Sequence, residues 1–149
     1  MNQKMRSRVG TFLATSALVV GTSLTLGATD AAAADFTFSK SGVSADGSFD
    51  VEVYYGGDHA GTMEWNGDPS GSEPGDAFRV KDRLADGFGI EARMIDPTTG
   101  RYATTRGEPS PYTSGWNTGN LAEGTEVFIQ VCAVKGTGAW CSIAYQGHA

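Results

Sequence analysis

Leucine is nearly missing from most of this chain. Beyond residue 34 the 149-residue sequence holds two, Leu84 and Leu121, while Val, Ile, Thr, Phe, Tyr and Trp are abundant. That balance disfavours helices and favours strands. Cysteine is confined to Cys132 and Cys141, and histidine to His59 and His148. A zinc site built on the cysteines would need both histidines as well, so no metal site is expected there. The Cys-x-x-Cys spacing of a redox pair is absent. So are the Gly-x-Ser-x-Gly elbow, the His-Glu-x-x-His helix, the P-loop and the dinucleotide fingerprint, and no cofactor is implied. No stretch keeps a 3.6-residue period; "VKDRLADG" is short and ends in Asp-Gly, so at most it bends or makes one turn.

What is present begins with a leader. Lys4, Arg6 and Arg8 make a basic start, residues 9 to 28 hold an uncharged apolar stretch, and Ala32-Ala33-Ala34 supplies the small residues of a cleavage site. Residues 1 to 34 therefore read as a secretory signal peptide, with Asp35 beginning the exported chain. The alternative is a retained membrane anchor. The Thr, Ser and Gly that dilute the apolar run, and the alanines that follow it, favour removal. No cysteine near the site offers a lipid attachment point.

Residues 35 to 149 have the size of one domain. Three of the eleven basic residues and one of the seventeen acidic ones lie before residue 35, leaving eight against sixteen and a net charge of −8. Such a surface repels phosphate backbones and anionic headgroups, so neither nucleic acid nor a membrane is an expected partner.

Eighteen of the 21 glycines fall in this region, most of them clustered with Asp, Asn and Pro, as in Asp46-Gly47, Gly56-Gly57-Asp58, Asn66-Gly67-Asp68-Pro69 and Asp86-Gly87. Turn signals every 8 to 12 residues or so mark an all-β sandwich or barrel. Between them the period is two. In "SFDVEVYY" Phe49, Val51, Val53 and Tyr55 share a face; in "AFRVKD" Phe78 and Val80 oppose Arg79 and Lys81; in "FGIEARMI" the set is Phe88, Ile90, Ala92 and Met94. "DPTTG" then reads as a turn with a left-handed Gly100, and "RYATTR" as the returning strand. "EVFIQVCAV" and "AWCSIAYQ" are apolar at nearly every position, so both are expected mid-sheet and covered on two sides. The expected fold is an antiparallel β-sandwich, immunoglobulin-like or similar, of about seven to nine short strands.

The cysteines lie in "VCAVKGTGAWCS". With Gly136 and Thr137 as the central turn residues, Lys135 faces Gly138, Val134 faces Ala139, Ala133 faces Trp140 and Cys132 faces Cys141. Alternation from a hydrogen-bonded closing pair makes the cysteines a non-hydrogen-bonded pair, with Cα atoms about 4.5 Å apart, within disulfide reach. A type II′ turn suits Gly136, and a four-residue loop over 135 to 138 gives the same pairing. One hairpin disulfide is expected.

Two kinds of function are weighed. Residues 107 to 119, "GEPSPYTSGWNTG", are too long for a hairpin turn and carry Pro109, Pro111, Tyr112 and Trp116. Prolines lower the entropy lost on docking, and aromatics supply rigid contact area, so these four are the candidate binding residues. The structural alternative is that Tyr112 and Trp116 fold back over a sheet end. Trp65, Tyr54 and Tyr102 either join them as a sugar-stacking platform or pack across strands. A catalytic reading rests on His59 in "GGDHAG", near Asp58, Glu64 and Ser70 to Ser72, or on a carboxylate pair among Glu64, Asp82, Asp86 and Glu91. Those carboxylates alternate with Arg79, Lys81, Arg83 and Arg93, which favours surface ion pairs. The stretch "NGDPSGSEPGD" (66 to 76) has calcium-friendly residue types but lacks the spacing of an EF-hand, and turn chemistry accounts for it.

The segments "ATDAAAAD", "DGFGIEARM" and "AEGTEVFIQVCAVKGTGAWCS" resemble small exported proteins of unassigned function from high-GC Gram-positive bacteria. That resemblance implies secretion and a β domain, and brings no catalytic residue. In size and stapled hairpin the chain is also similar to chromoprotein apoproteins, immunoglobulin-like sandwiches that hold a chromophore; those use two disulfides, and this chain has cysteines for one. The expected function is that of a secreted, non-catalytic binding protein, an inhibitor of a secreted hydrolase or a wall or glycan binder. It would meet an extracellular protein or a polysaccharide through the 107 to 119 loop. The alternative is a small secreted hydrolase.

Overall fold

The computed structural model describes residues 35–149, and the expected signal peptide lies outside the described residues. Nine strands run in the order β1 (Phe36–Lys40), β2 (Phe49–Tyr55), β3 (Asp58–Asn66), β4 (Ala77–Asp82), β5 (Gly89–Asp96), β6 (Tyr102–Thr104), β7 (Tyr112–Thr113), β8 (Glu126–Lys135) and β9 (Gly138–His148). The first sheet has the order β1-β2-β3-β4-β7 and the second β6-β5-β8-β9, with every pairing antiparallel. No helix occurs among the described residues.

The period-two faces become the core. Phe49, Val51 and Val53 of β2, Met63 and Trp65 of β3, and Phe78 and Val80 of β4 are all buried, and so are Ile90, Ala92 and Met94 of β5 with Val127, Ile129 and Val131 of β8. Each large side chain removed from water in this way contributes roughly 1.5 to 3 kcal/mol. Trp65 satisfies its one polar atom by donating Nε1–H to the His148 carbonyl at 3.1 Å. This bond ties the end of β3 to the end of β9.

The expected register of the last hairpin is found. Lys135 faces Gly138, Val134 faces Ala139, Ala133 faces Trp140 and Cys132 faces Cys141. Gly136 supplies φ +55° at the turn, where a side chain would be strained, and Thr137 stays out of the left-handed region, in keeping with a type II′ turn. The cysteines form a disulfide with Cα atoms 4.0 Å apart. Beyond it the register shifts by one between Gln130 and Cys132, and Ser142 Oγ accepts the Val131 amide at 3.1 Å.

One placement differs from expectation. β8 lies between β5 and β9 and is buried along most of its length, but β9 is the sheet's outer strand and Ile143 is 75% exposed. Ala139, Cys141 and Ile143 share the exposed face of β9 while Trp140 and Tyr145 are half-buried, because apolar composition does not by itself mean that both faces of a strand are covered. The free flank of β9 is guarded by β1: Lys40 Nζ donates to the Gln146 carbonyl and Tyr145 Oη to that of Phe38. Gly147 belongs to the same junction, since a Cβ there would strike the Phe49 ring.

The disulfide closes a ten-residue ring, so reduction, or Cys132→Ala with Cys141→Ala, should lower stability by about 2.5 to 3 kcal/mol in a chain-entropy account. Equilibrium unfolding in urea, with and without reductant, measures this. Thiol titration of the unreduced, denatured protein should find no free thiol.

Candidate functional site

Residues 107 to 119 are fastened to the sheet. Tyr112 and Thr113 pair with Asp82 and Lys81 of β4. The Ser114 amide donates to the Val80 carbonyl at 2.9 Å and Ser114 Oγ accepts the Val80 amide at 3.1 Å. Asn117 and Phe78 exchange both backbone bonds, at 2.8 and 3.1 Å. The segment thus supplies the outer strand of the first sheet. A long loop pinned in this way has already lost the entropy that docking would otherwise cost.

This course separates the four candidate residues. Pro109, Pro111 and Tyr112 are exposed where the segment approaches β4, Tyr112 at 37%. Trp116 is half-buried near the other end of β4, with the Arg79 guanidinium 4.1 Å above its ring centroid. Cross-strand partners share a face, so Tyr112 stands on the side of Asp82 and Val80, whereas Trp116 covers Arg79 on the reverse side. The two aromatics do not form one patch. Nor do the others: Trp65 is in the core, Tyr54 lies beside His59 with ring centroids 5.4 Å apart, and Tyr102 is exposed on the second sheet.

A cleft of about 600 Å3 opens at the pole where this segment begins, between the 83–88 bend, residues 105 to 110 and the 135–136 turn. Pro109 and Ser110 line it together with the deeply buried Asp82 and Thr105. Its walls are held by the bend's own chemistry. Asp82 Oδ1 accepts the Leu84 amide at 3.2 Å and Asp86 Oδ1 that of Phe88 at 2.8 Å, two successive Asx turns. Burial pushes the Asp82 carboxyl above its ordinary pKa and the charge of Asp86 adds to this, against the Leu84 amide that holds it down. Behind the bend, Phe88 packs into a cluster with Phe36, Tyr55 and Trp140, at centroid distances of 5.0, 5.4 and 5.2 Å.

The catalytic candidates are dispersed. His59 Nε2 lies against Glu52 Oε2, the Gly61 carbonyl (3.0 Å) and Thr62 Oγ1 (3.3 Å), and Thr62 Oγ1 itself donates to Glu52 at 3.0 Å. Every one of these contacts uses the same ring nitrogen, so the imidazole cannot relay a proton from hydroxyl to carboxylate as a triad does. Thr62 is also buried. Of the carboxylates, Glu64 takes Arg79 and Lys81, and Glu91 takes Arg93, with Arg106 Nε at 3.8 Å. The expected ion pairs form at Glu64 and Glu91, whereas Asp82 and Asp86 accept backbone amides instead, and Asp82 and Glu91 are buried rather than solvated. In the 66 to 76 stretch Glu73 pairs with Arg79 and Asp76 Oδ2 accepts the Leu121 amide at 2.8 Å, so two of its three carboxylates are engaged within the fold.

Arg101 is the organising residue that composition did not single out. Its Nε donates to Asn117 Oδ1 at 2.9 Å, Nη2 donates to the Asp76 and Asn117 carbonyls, and its guanidinium lies 5.1 Å from the Phe78 ring centroid. Burial lowers its pKa, with the Asp76 charge acting in the opposite sense. It joins the turn before β6 to the far end of the 107 to 119 segment.

Burial on the sheet face raises the Glu64 carboxyl, but hydrogen bonds and charge from Lys81 and Arg79 outweigh it and hold the group below the ordinary glutamate range. A depressed carboxylate stabilises the fold above the unfolded-state pKa, and that contribution drains away as pH falls through the folded-state value. Glu64→Gln should therefore cost about 2 kcal/mol at neutral pH. The difference from the wild type should close below about pH 4, as read from urea midpoints across pH. The chain matches no protein-family model, no curated protein and no solved structure.

Proposed function

We propose that this is a secreted binding protein that engages an extracellular protein or a polysaccharide through residues 109 to 112, with the rest of the 107 to 119 segment as their mount. The observation that carries this reading is the hydrogen-bonded seam between residues 112–117 and β4, which fixes exposed Pro109, Pro111 and Tyr112 on a rigid sheet edge. Fixed aromatic and proline surface is what strong recognition uses, because little freedom remains to be lost. The dispersal of His59, Glu64, Asp82 and Glu91 over separate structural tasks supports binding over hydrolysis. The disulfide supports an oxidising destination, in agreement with the leader.

The oxidised protein, immobilised, should retain a component of its producer's culture fluid or wall material in a saturable manner. Tyr112→Ala should reduce that retention at least tenfold with the urea midpoint unchanged, since one exposed aromatic hot spot is worth about 2 kcal/mol. Trp116→Ala should lower both retention and stability, because it also removes the cover from Arg79. Retention indifferent to both substitutions would sink the reading.

A further inference from the structure

The polar cleft beside Asp82 has a chemical character that the loop reading does not use. Two polar atoms at this pole are buried without a hydrogen-bond partner, Ser110 Oγ and Asp86 Oδ2. Ser110 lines the cleft next to Asp82 and its hydroxyl holds that carboxyl down, whereas Asp86 does not line the cleft and acts on Asp82 through its charge. Buried oxygens of this kind are costly, and native structures pair them. Asp82 is 4% exposed and a carboxylate so placed calls for a counter-charge.

The neighbouring cations do not provide it. Arg106 Nη1 donates to the Gly136 carbonyl, with its Nε 3.8 Å from Glu91. Lys135 Nζ donates to the Asp86 carbonyl at 3.4 Å and sits 4.6 Å above the Phe88 ring centroid. Both bridge one wall of the cleft to another. Glu108 adds a further negative charge among the lining residues. The raised Asp82 carboxyl agrees with this, since its causes include no cation at all.

We propose that the cleft binds a primary alkylammonium group, with the ammonium meeting Asp82 and Ser110 Oγ and the alkyl chain lying against Leu84, Phe88 and Pro109. An ammonium has three donors and no acceptor, which suits a carboxylate beside a hydroxyl oxygen. The net charge of −8 on residues 35 to 149 raises the local concentration of such cations. The same chemistry is offered by a free alkylamine and by a lysine side chain on a protein. The site shares Pro109 and Ser110 with the recognition segment proposed above, but neither Tyr112 nor Trp116 lines it.

Amide NMR shifts of the oxidised protein, followed as butylammonium chloride is added, test this directly. Saturable shifts confined to residues 82–88, 105–110 and 134–136 are expected, with none from tetramethylammonium, which has the charge but no N–H. Ser110→Ala should weaken binding three- to tenfold, and Asp82→Asn tenfold or more, the scale of one hydrogen bond to a charged group. If Asp82→Asn does not fold, Ser110→Ala carries the comparison. A short peptide with one internal lysine and blocked ends, binding more tightly than butylammonium, would mark a protein as the source; the reverse order would mark a free amine. Absence of saturable shifts, equal shifts from tetramethylammonium, or unchanged affinity in folded Ser110→Ala and Asp82→Asn would overturn the proposal. Tyr112→Ala should leave these shifts intact, which separates the ammonium site from recognition through Tyr112.

Discussion

The seam along the outer edge of β4 is the constraint on which the course of residues 107 to 119, and so the proposed recognition surface, depends. Without residues 112 to 117, β4 would be the last strand of the first sheet, and its amide and carbonyl groups at Phe78 and Val80 would face water as an open edge. Residues 112 to 117 satisfy them through Ser114 and Asn117. In doing so they turn a thirteen-residue connection into a strand with a fixed course. The fit is irregular, because Ser114 bonds both polar groups of Val80 partly through its side chain while Asn117 pairs with Phe78 through backbone alone. That irregularity carries the chain from Tyr112 on one face to Trp116 on the other.

Much of the architecture was legible because a half-buried strand writes its burial with a period of two. The faces of β2, β4 and β5 follow directly from that alternation, and the hairpin register follows from Gly136 and the spacing of two cysteines. Asp82 was equally legible in principle. It continues the Phe78, Val80 face by one more step, and parity alone places a carboxylate on the core side of β4. Reading it as one of a set of solvated charges ignored that step. β9 misled for a different reason: apolar residues at successive positions do not distinguish a central strand from an outer one, and the open face of β9 carries Ala139, Cys141 and Ile143.

Arg101 and the β4 seam belong to a different category. Both depend on which loops meet at an end of the sandwich, and that is decided by strand order, which local pattern does not encode. Nothing in "TTGRYATT" distinguishes Arg101 from the exposed Arg93 or Arg106. Its place among Asp76, Asn117 and Phe78 exists only once the turn before β6, the end of the 67–76 connection and the far end of the 107 to 119 segment have been brought together. The candidate loop could be found by length and composition. Its division into an exposed front and a packed rear could not.

The two ends of the sandwich are built differently, and the difference bears on where recognition lies. At one end Arg101 joins three segments, Trp65 bonds the His148 carbonyl, Ser48 Oγ accepts the Gly67 amide and the Gly124 amide bonds the Ala149 carbonyl. Those bonds interlock every connection there with a neighbour. At the other end Thr105 bonds Ile90 and the Arg83 amide bonds the Ala60 carbonyl, while Lys135 to Asp86 and Arg106 to Gly136 bridge the walls of an open cleft. The disulfide lies toward this end, three residues from the turn on each side, and stiffens the hairpin that forms one wall. A scaffold that locks one pole by mutual hydrogen bonding, and braces the other from behind with a disulfide and an aromatic cluster, leaves the braced pole open around a cleft, with Pro109, Pro111 and Tyr112 exposed beside it.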